Sequence, residues 1–104
     1  MDILKQQIQN TLSLRADLTE AVKNEEQLLK LVEQYVQELI DTDFEKLLLV
    51  LYRLDVSEKK VKQALEINGA EKASNSIAKL ILEREKEKAE TRKNFSSGNT
   101  DWVF

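Results

Sequence analysis

The side chains that most often perform chemistry in enzymes are missing from this sequence, which contains no histidine and no cysteine. The usual acid and base at neutral pH, the usual nitrogen ligand of metals and the most nucleophilic side chain are therefore all missing. The hydroxyls of Ser57, Ser74 and Ser76 have no histidine to activate them. A glycine-rich loop that could bind a phosphate is also lacking, since Gly69 and Gly98 are the only glycines. These absences predict that the protein is not an enzyme.

Carboxylates remain as candidates for acid–base or metal chemistry. Glu33, Glu38 and Glu45 are expected on solvated helix faces, away from the buried setting that acid–base catalysis requires. The segment 41–45 places three carboxylates two residues apart, as a calcium-binding loop does, but it lacks that loop's glycine and its closing glutamate. The Glu-x-x-His motif of carboxylate di-metal sites is also missing. We therefore expect no catalytic residue, no metal site and no cofactor.

Length and composition indicate one small helical domain. The 104 residues include no proline, and charged residues make up 34% of them, which is typical of amphipathic helices with charged outer faces. The formal net charge of −3 gives the whole molecule no attraction to nucleic acid or anionic lipid. The longest apolar run, 47–52, is much shorter than the roughly 20 residues of a membrane span, and residues 1–7 lack the apolar stretch of a signal peptide. We expect a soluble cytoplasmic protein without a membrane contact.

The spacing of apolar residues predicts an all-α fold. We expect a single-domain bundle of four or five helices over residues 1–94, followed by a flexible C-terminal tail, 95–104. The first helix is predicted from Ile3 to about Lys23. Leu14 breaks its apolar spacing, so either this helix kinks near Ser13 or the stretch buries a second face.

Two capping boxes are predicted to begin the next two helices. In the first, Asn24 accepts a hydrogen bond from the Gln27 amide while the Gln27 side chain reaches back, and the helix that follows has an acidic outer face. In the second, Thr42 is the N-cap of the third helix, and Glu45 occupies the third helical position.

The third helix is predicted over 43–54 and is apolar on every side through its middle. A helix of this kind is usually buried all round. The pattern therefore predicts a central buried helix, with Leu48 and Leu51 almost fully enclosed.

Two further helices are predicted after this one. Ser57 is expected to cap the fourth helix, and Gly69 to end it by adopting a left-handed conformation. The fifth helix is expected to start near Ala70, or at Ser74 if the cap lies there.

The fifth helix is predicted to continue as a charged arm, Glu83–Asn94, in which nine of 12 residues are charged. Because the arm has no apolar stripe, it is expected to be either a solvated helix face or an arm that projects past the core, where its basic residues could meet the acidic second helix of a neighbouring copy. The tail that follows is frayed, is an aromatic anchor for a partner, or folds back on its own core. The candidate partner-binding residues are Arg84, Lys88, Arg92, Lys93, Phe95, Trp102 and Phe104.

A helix-turn-helix offers an alternative interpretation. Lys59, Lys60 and Lys62 lie near the start of the fourth helix, where a recognition helix contacts DNA. That helix has no arginine, asparagine or glutamine in its first turn to contact base edges, and exposed lysines are common on helix surfaces. The main prediction is therefore a protein–protein interaction module, self-associating as a homodimer or docking on a protein partner. The alternative is a nucleic-acid-associated regulator that uses helix 58–67 or the basic residues of 84–93.

The stretch from Asp41 to Glu58, followed by the run from Ile77 to Glu83, resembles a group of small all-helical bacterial proteins without assigned function. The resemblance covers roughly half of the chain and rests on ordinary helix-building residues. It implies a bacterial cytoplasmic protein and supplies no catalytic residue, ligand or partner.

Overall fold

The computed structural model describes the backbone of residues 2–96 and the side chains of 3–67, 69 and 72–90. Within this range the protein has five α-helices and no strand, which confirms the all-α class. The helices are α1 (Asp2–Thr11), α2 (Ala16–Glu20), α3 (Glu25–Thr42), α4 (Phe44–Arg53) and α5 (Glu58–Ser96). A kink at Gly69 divides α5 into an N-terminal segment, 58–68, and a C-terminal segment, 70–96.

The predicted first helix is broken at Ser13 into α1 and α2. This confirms the first of the two alternatives, an interruption near Ser13. Ser13 has a φ of 55°, a left-handed conformation that costs a residue with a Cβ about 1–2 kcal/mol. The break returns the chain along α1, where Lys5 Nζ donates to the Val22 carbonyl oxygen at 3.0 Å. The buried Thr19 hydroxyl contacts Gln9 Oε1 and donates to the Ala16 carbonyl oxygen at 3.0 Å. These contacts, together with burial of Val22, offset the cost of the turn.

Helix α3 begins where the first capping box predicts. Asn24 Oδ1 accepts a hydrogen bond from the Gln27 amide at 2.9 Å. The Gln27 side chain reaches back to the Lys23 amide at 2.7 Å, one residue before the expected donor. The buried face of α3 consists of side chains three or four positions apart, as in any amphipathic helix: Leu28, Val32, Val36 and Leu39.

The second capping box is displaced by one residue from its predicted position. Thr42 is the last residue of α3, and its hydroxyl donates to the Glu38 carbonyl oxygen at 2.7 Å. Asp43 is the N-cap of α4, and its carboxylate accepts from the Lys46 amide at 3.1 Å. The prediction of Thr42 as the cap was wrong because both residues can cap a helix, and the length of α3 decides which of them does.

The prediction that helix 43–54 lies buried at the centre of the bundle was also wrong. Leu47, Leu51 and Leu54 are buried, but Leu48 and Leu49 are exposed. The most extensive helix pair is α3 with α5, and α4 packs against the side of this pair. A ten-residue helix is about 15 Å long, and its outer face stays exposed among the helices that the structure describes.

Helix α5 begins and kinks at the predicted residues. The Ser57 hydroxyl accepts a hydrogen bond from the Lys60 amide at 3.3 Å. Gly69 has a φ of 76° and a ψ of 162°, a region of backbone conformation that is almost confined to glycine. The C-terminal segment contributes Ala73, Ile77 and Ile81 to the core. Its helix continues through residue 96, past the expected boundary between domain and tail at 94.

Candidate functional site

The outer face of α4 carries two rows of exposed side chains, each with a spacing of four residues. The first row is Phe44, Leu48 and Tyr52, whose exposed fractions are 37%, 45% and 84%. The second row is Glu45, Leu49 and Arg53, in which Leu49 is 60% exposed. Residues four positions apart lie above one another on a helix, so the two rows form one continuous surface. We call this surface the α4 face.

A groove lies beside the first row of the α4 face, between α4 and the start of α5. It has a volume of about 260 Å³ and is lined by Leu48, Leu51, Tyr52, Val56 and Val61, with Glu58 as its charged residue. Four of these side chains are aliphatic and the fifth is aromatic. The groove can therefore accept an apolar side chain but offers no set of polar groups that would orient a small substrate.

The opposite face of α4 holds the helix in place. Leu47 is completely buried, and Leu51 and Leu54 are nearly so. Three buried leucines within eight residues fix the rotation of α4 about its own axis. The α4 face is therefore presented by a helix that is already ordered and packed.

Charge is distributed unevenly along the α4 face. At its N-terminal end are the exposed carboxylates of Glu45, of the N-cap Asp43 and of Asp41 in the last turn of α3. Its C-terminal end has the exposed guanidinium of Arg53. Burial raises the pKa of the Tyr35 phenol on α3, and the nearby Arg53 guanidinium opposes this shift by a smaller amount. The positive charge of Arg53, at the C-terminal end of α4, thus acts on a residue in the middle of α3.

The charged arm does not project freely from the core along the part that the structure describes. Glu85 is only 1% exposed, and its backbone carbonyl oxygen accepts a hydrogen bond from Gln7 Nε2 at 2.9 Å. Lys88 Nζ lies 3.3 Å from Glu85 Oε2, and Lys86 pairs with Glu25 at the start of α3. The expectation that this segment has no reason to pack was wrong for residues 83–90, because α1 lies against one of its faces.

Two of the predicted partner-binding residues are engaged within the chain itself. Arg84 is half-buried, its Nε donates to the Asp55 carbonyl oxygen at 3.2 Å, and its Nη2 donates to Asp55 Oδ2 at 3.1 Å. Lys88 is half-buried and paired with Glu85. Five others lie beyond the described side chains, and the last two of these also lie beyond the described backbone: Arg92, Lys93, Phe95, Trp102 and Phe104.

The lysines of the helix-turn-helix alternative lie on an exposed surface of mixed charge. Lys59, Lys60 and Lys62 are all exposed. Lys62 Nζ lies 3.3 Å from Glu58 Oε1, and Glu58 and Glu66 line the same shallow cleft as Lys59 and Lys62. Carboxylates within such a cleft oppose the approach of a phosphate backbone.

The carboxylates considered for chemistry are separated from one another. Glu33 is half-buried and its Oε2 accepts from Asn75 Nδ2 at 2.9 Å, whereas Glu38 and Glu45 are exposed. Among the residues that the structure describes, no group of three or more acidic side chains is arranged to hold a metal ion. Over the same part of the chain, no helix is both long and apolar enough to cross a membrane.

No protein-family model, curated protein sequence or solved structure matches the chain.

Sequence reasoning missed the α4 face because it treated every apolar residue of helix 43–54 as buried. The spacing of four between Phe44, Leu48 and Tyr52 was visible, as was the second stripe formed by Leu47, Leu51 and Leu54. Two distinct stripes on one short helix at the side of a small bundle cannot both face the core. This argument from size would have identified one stripe as an exposed surface.

Proposed function

We propose that the protein is a non-enzymatic interaction module that associates with itself through the α4 face. The observation that carries this proposal is the continuous exposure of Phe44, Leu48, Leu49 and Tyr52 on one packed helix. Scattered apolar side chains are normal on protein surfaces, whereas a contiguous apolar patch usually marks an interaction site.

The packing of α4 supports the same proposal. Because Leu47, Leu51 and Leu54 already fix the helix, docking on its outer face requires little further ordering of the backbone. Less of the binding free energy is then spent on conformational entropy. Aromatic residues are also the commonest contributors of binding free energy at interfaces, and the α4 face contains two of them.

The absence of histidine and cysteine from the sequence supports a function without catalysis. Composition also favours the reducing cytoplasm as the proposed location, because a cysteine-free chain needs no disulfides.

The proposal is tested by measuring molar mass as a function of protein concentration. The wild-type protein is expected to shift from monomer towards dimer as its concentration rises, and Leu49→Glu is expected to remain monomeric. Ile67→Glu is the matched control, because Ile67 is also an exposed aliphatic residue, 80% accessible, but lies on α5. It should associate as the wild type does.

Two outcomes would contradict the proposal. A wild-type protein that remains monomeric at high micromolar concentration would exclude self-association. A dimer that is equally sensitive to Ile67→Glu and Leu49→Glu would remove the α4 face as its interface. The same experiment repeated with duplex DNA at low and high salt tests the nucleic-acid alternative, which salt-sensitive binding would support.

A further inference from the structure

We propose that two copies of the chain form a two-fold symmetric dimer in which α4 pairs with α4 in antiparallel orientation. The symmetry axis passes between Leu48 and Leu49. This inference rests on the proposed function and specifies its partner, orientation and register.

The first row of the α4 face is self-complementary in this arrangement. In a two-fold symmetric interface every contact occurs twice. If one residue of the first copy contacts a different residue of the second copy, the same two residues also meet with the copies exchanged. In an antiparallel pair with the axis at this position, the Phe44 ring of one copy lies across from the Tyr52 ring of the other at both ends of the first row. The two Leu48 side chains meet at the centre. Each Phe44 then lies beside the apolar groove next to Tyr52, which gives the groove an occupant.

The second row supplies charge complementarity in the same register. Leu49 lies next to its own copy, and Glu45 of each copy lies opposite Arg53 of the other. A parallel pairing would instead place Glu45 against Glu45 and Arg53 against Arg53. It would also align the two helix dipoles, whereas the antiparallel pairing opposes them. Both rows therefore favour the antiparallel orientation, and their central residues, Leu48 and Leu49, lie on either side of the axis.

The size of the α4 face predicts a weak dimer. A whole aromatic side chain contributes at most about 250 Å², and Phe44 is only 37% exposed. The exposed apolar residues thus provide less than the roughly 800 Å² per partner of a standard interface. We expect a dissociation constant in the micromolar range, on the order of 10⁻⁶ to 10⁻⁵ M.

Cysteine cross-linking tests the orientation directly, because the chain has no cysteine of its own. Under mild oxidation, Leu49→Cys should form a disulfide-linked dimer, and Ile67→Cys should not. Phe44→Cys alone should not cross-link, because antiparallel pairing separates the two copies of residue 44 by about 12 Å or more along the helix axis. A disulfide requires Cα atoms within about 7 Å. An equimolar mixture of Phe44→Cys and Tyr52→Cys should cross-link between the two variants.

Charge reversal tests the register. Glu45→Arg and Arg53→Glu should each raise the dissociation constant about tenfold, because each creates two pairs of like charges in the symmetric dimer. The double variant Glu45→Arg/Arg53→Glu restores opposite charges across the axis, and its dissociation constant should return to near the wild-type value. Circular dichroism of each variant verifies that it is folded.

The outcomes separate this inference from the proposed function. A wild-type chain that never dimerises, or a dimer that tolerates Leu49→Glu, overturns both. If dimerisation depends on Leu49 but Phe44→Cys cross-links to itself, the pairing is parallel, and the inference is wrong while the proposed function stands. A double charge reversal that fails to recover association would likewise overturn the register alone.

Discussion

Leu47 and Leu48 are adjacent in the sequence but differ completely in environment. Leu47 has no exposed surface, whereas 45% of Leu48 is accessible. One step along a helix rotates the side chain by about 100°, and this rotation separates the core from the α4 face. Residue type alone therefore does not indicate the role of a leucine in this helix.

This difference predicts a large loss of stability for one alanine substitution and a small effect for the other. Leu47→Ala should lower the free energy of unfolding by about 2–5 kcal/mol, because it removes buried methyl groups and leaves a cavity. Leu48→Ala should change it by roughly 0.5 kcal/mol or less, as exposed substitutions usually do. Urea denaturation of both monomeric variants, measured well below the dimer concentration range, provides the comparison. Equal destabilisation would mean that the two stripes of α4 are wrongly assigned.

Because of the partly buried Tyr35 phenol, we expect the folded protein to lose stability at alkaline pH. Burial raises the pKa of its phenol above the ordinary value of 10.0, so the folded protein holds the phenolic proton more tightly than the unfolded chain does. This contribution to stability is complete below about pH 10 and is lost as the pH rises through the raised pKa. Tyr35→Phe has no phenol to ionise and should lose less stability than the wild type over that range.

The matched control for Tyr35 is Tyr52→Phe, which removes an exposed phenol. Thermal denaturation at several pH values near 10 is the measurement. A wild type and a Tyr35→Phe variant that lose stability in parallel would exclude a role of the Tyr35 phenol.

At the scale of whole helices, the kink in α5 depends on one residue. Gly69 separates a segment whose Val61 lines the groove beside α4 from one whose Asn75 contacts α3 and whose Glu85 contacts α1. A Cβ at this position would meet nothing within 4 Å, so space does not exclude a side chain there. The constraint is conformational, because a φ of 76° with a ψ of 162° disfavours every residue that has a Cβ.

Gly69→Ala should therefore destabilise the fold by about 1–3 kcal/mol even though it creates no clash. Gln63→Ala is the control, because it places alanine at an exposed position of the same helix and should be close to neutral. Chemical denaturation compares the two. An increase in stability on Gly69→Ala would contradict the kink and would indicate that the two segments of α5 form one continuous helix.

At the scale of the whole molecule, the C-terminal segment of α5 contacts both α1 and the start of α3. Gln7 on α1 contacts Glu85, and Glu25 at the start of α3 pairs with Lys86. Residues 83–90 are thus part of the packed structure, although most of them are charged. Charged side chains of this length commonly pack their stem atoms on apolar surface while their charged ends reach partners or water.

Truncation distinguishes this packed segment from the residues that follow it. A chain ending at residue 82 should melt at a clearly lower temperature, because it exposes the face of α1 that Glu85 covers and leaves Gln7 without its hydrogen bond. A chain ending at residue 96 keeps every described helix and serves as the control for shortening the chain. Thermal melting followed by circular dichroism checks both. Identical melting of the shorter chain and the full chain would show that residues 83–90 do not contribute to stability.

The sequence by itself determined the helical content and most helix ends. Asn24, Ser57 and Gly69 act through hydrogen bonds and backbone conformations within a few residues of themselves, so local spacing was enough to identify them. The apolar stripe of α3 was equally clear, because the polar residues between its members leave one orientation towards the core. The junction at Thr42 and Asp43 was harder, since two adjacent residues have the same capping chemistry.

Only the tertiary structure decided which side of α4 is buried and that Glu85 is enclosed. A helix with apolar residues on two faces contains no periodic signal that selects one of them, and the choice depends on where α3 and α5 lie. A glutamate in a charged run is usually predicted to be solvated. Glu85 is buried instead because α1 packs against it, and its partner Gln7 lies 78 residues earlier in the chain. Both features arise from contacts between distant segments, which short-range patterns in a sequence do not encode.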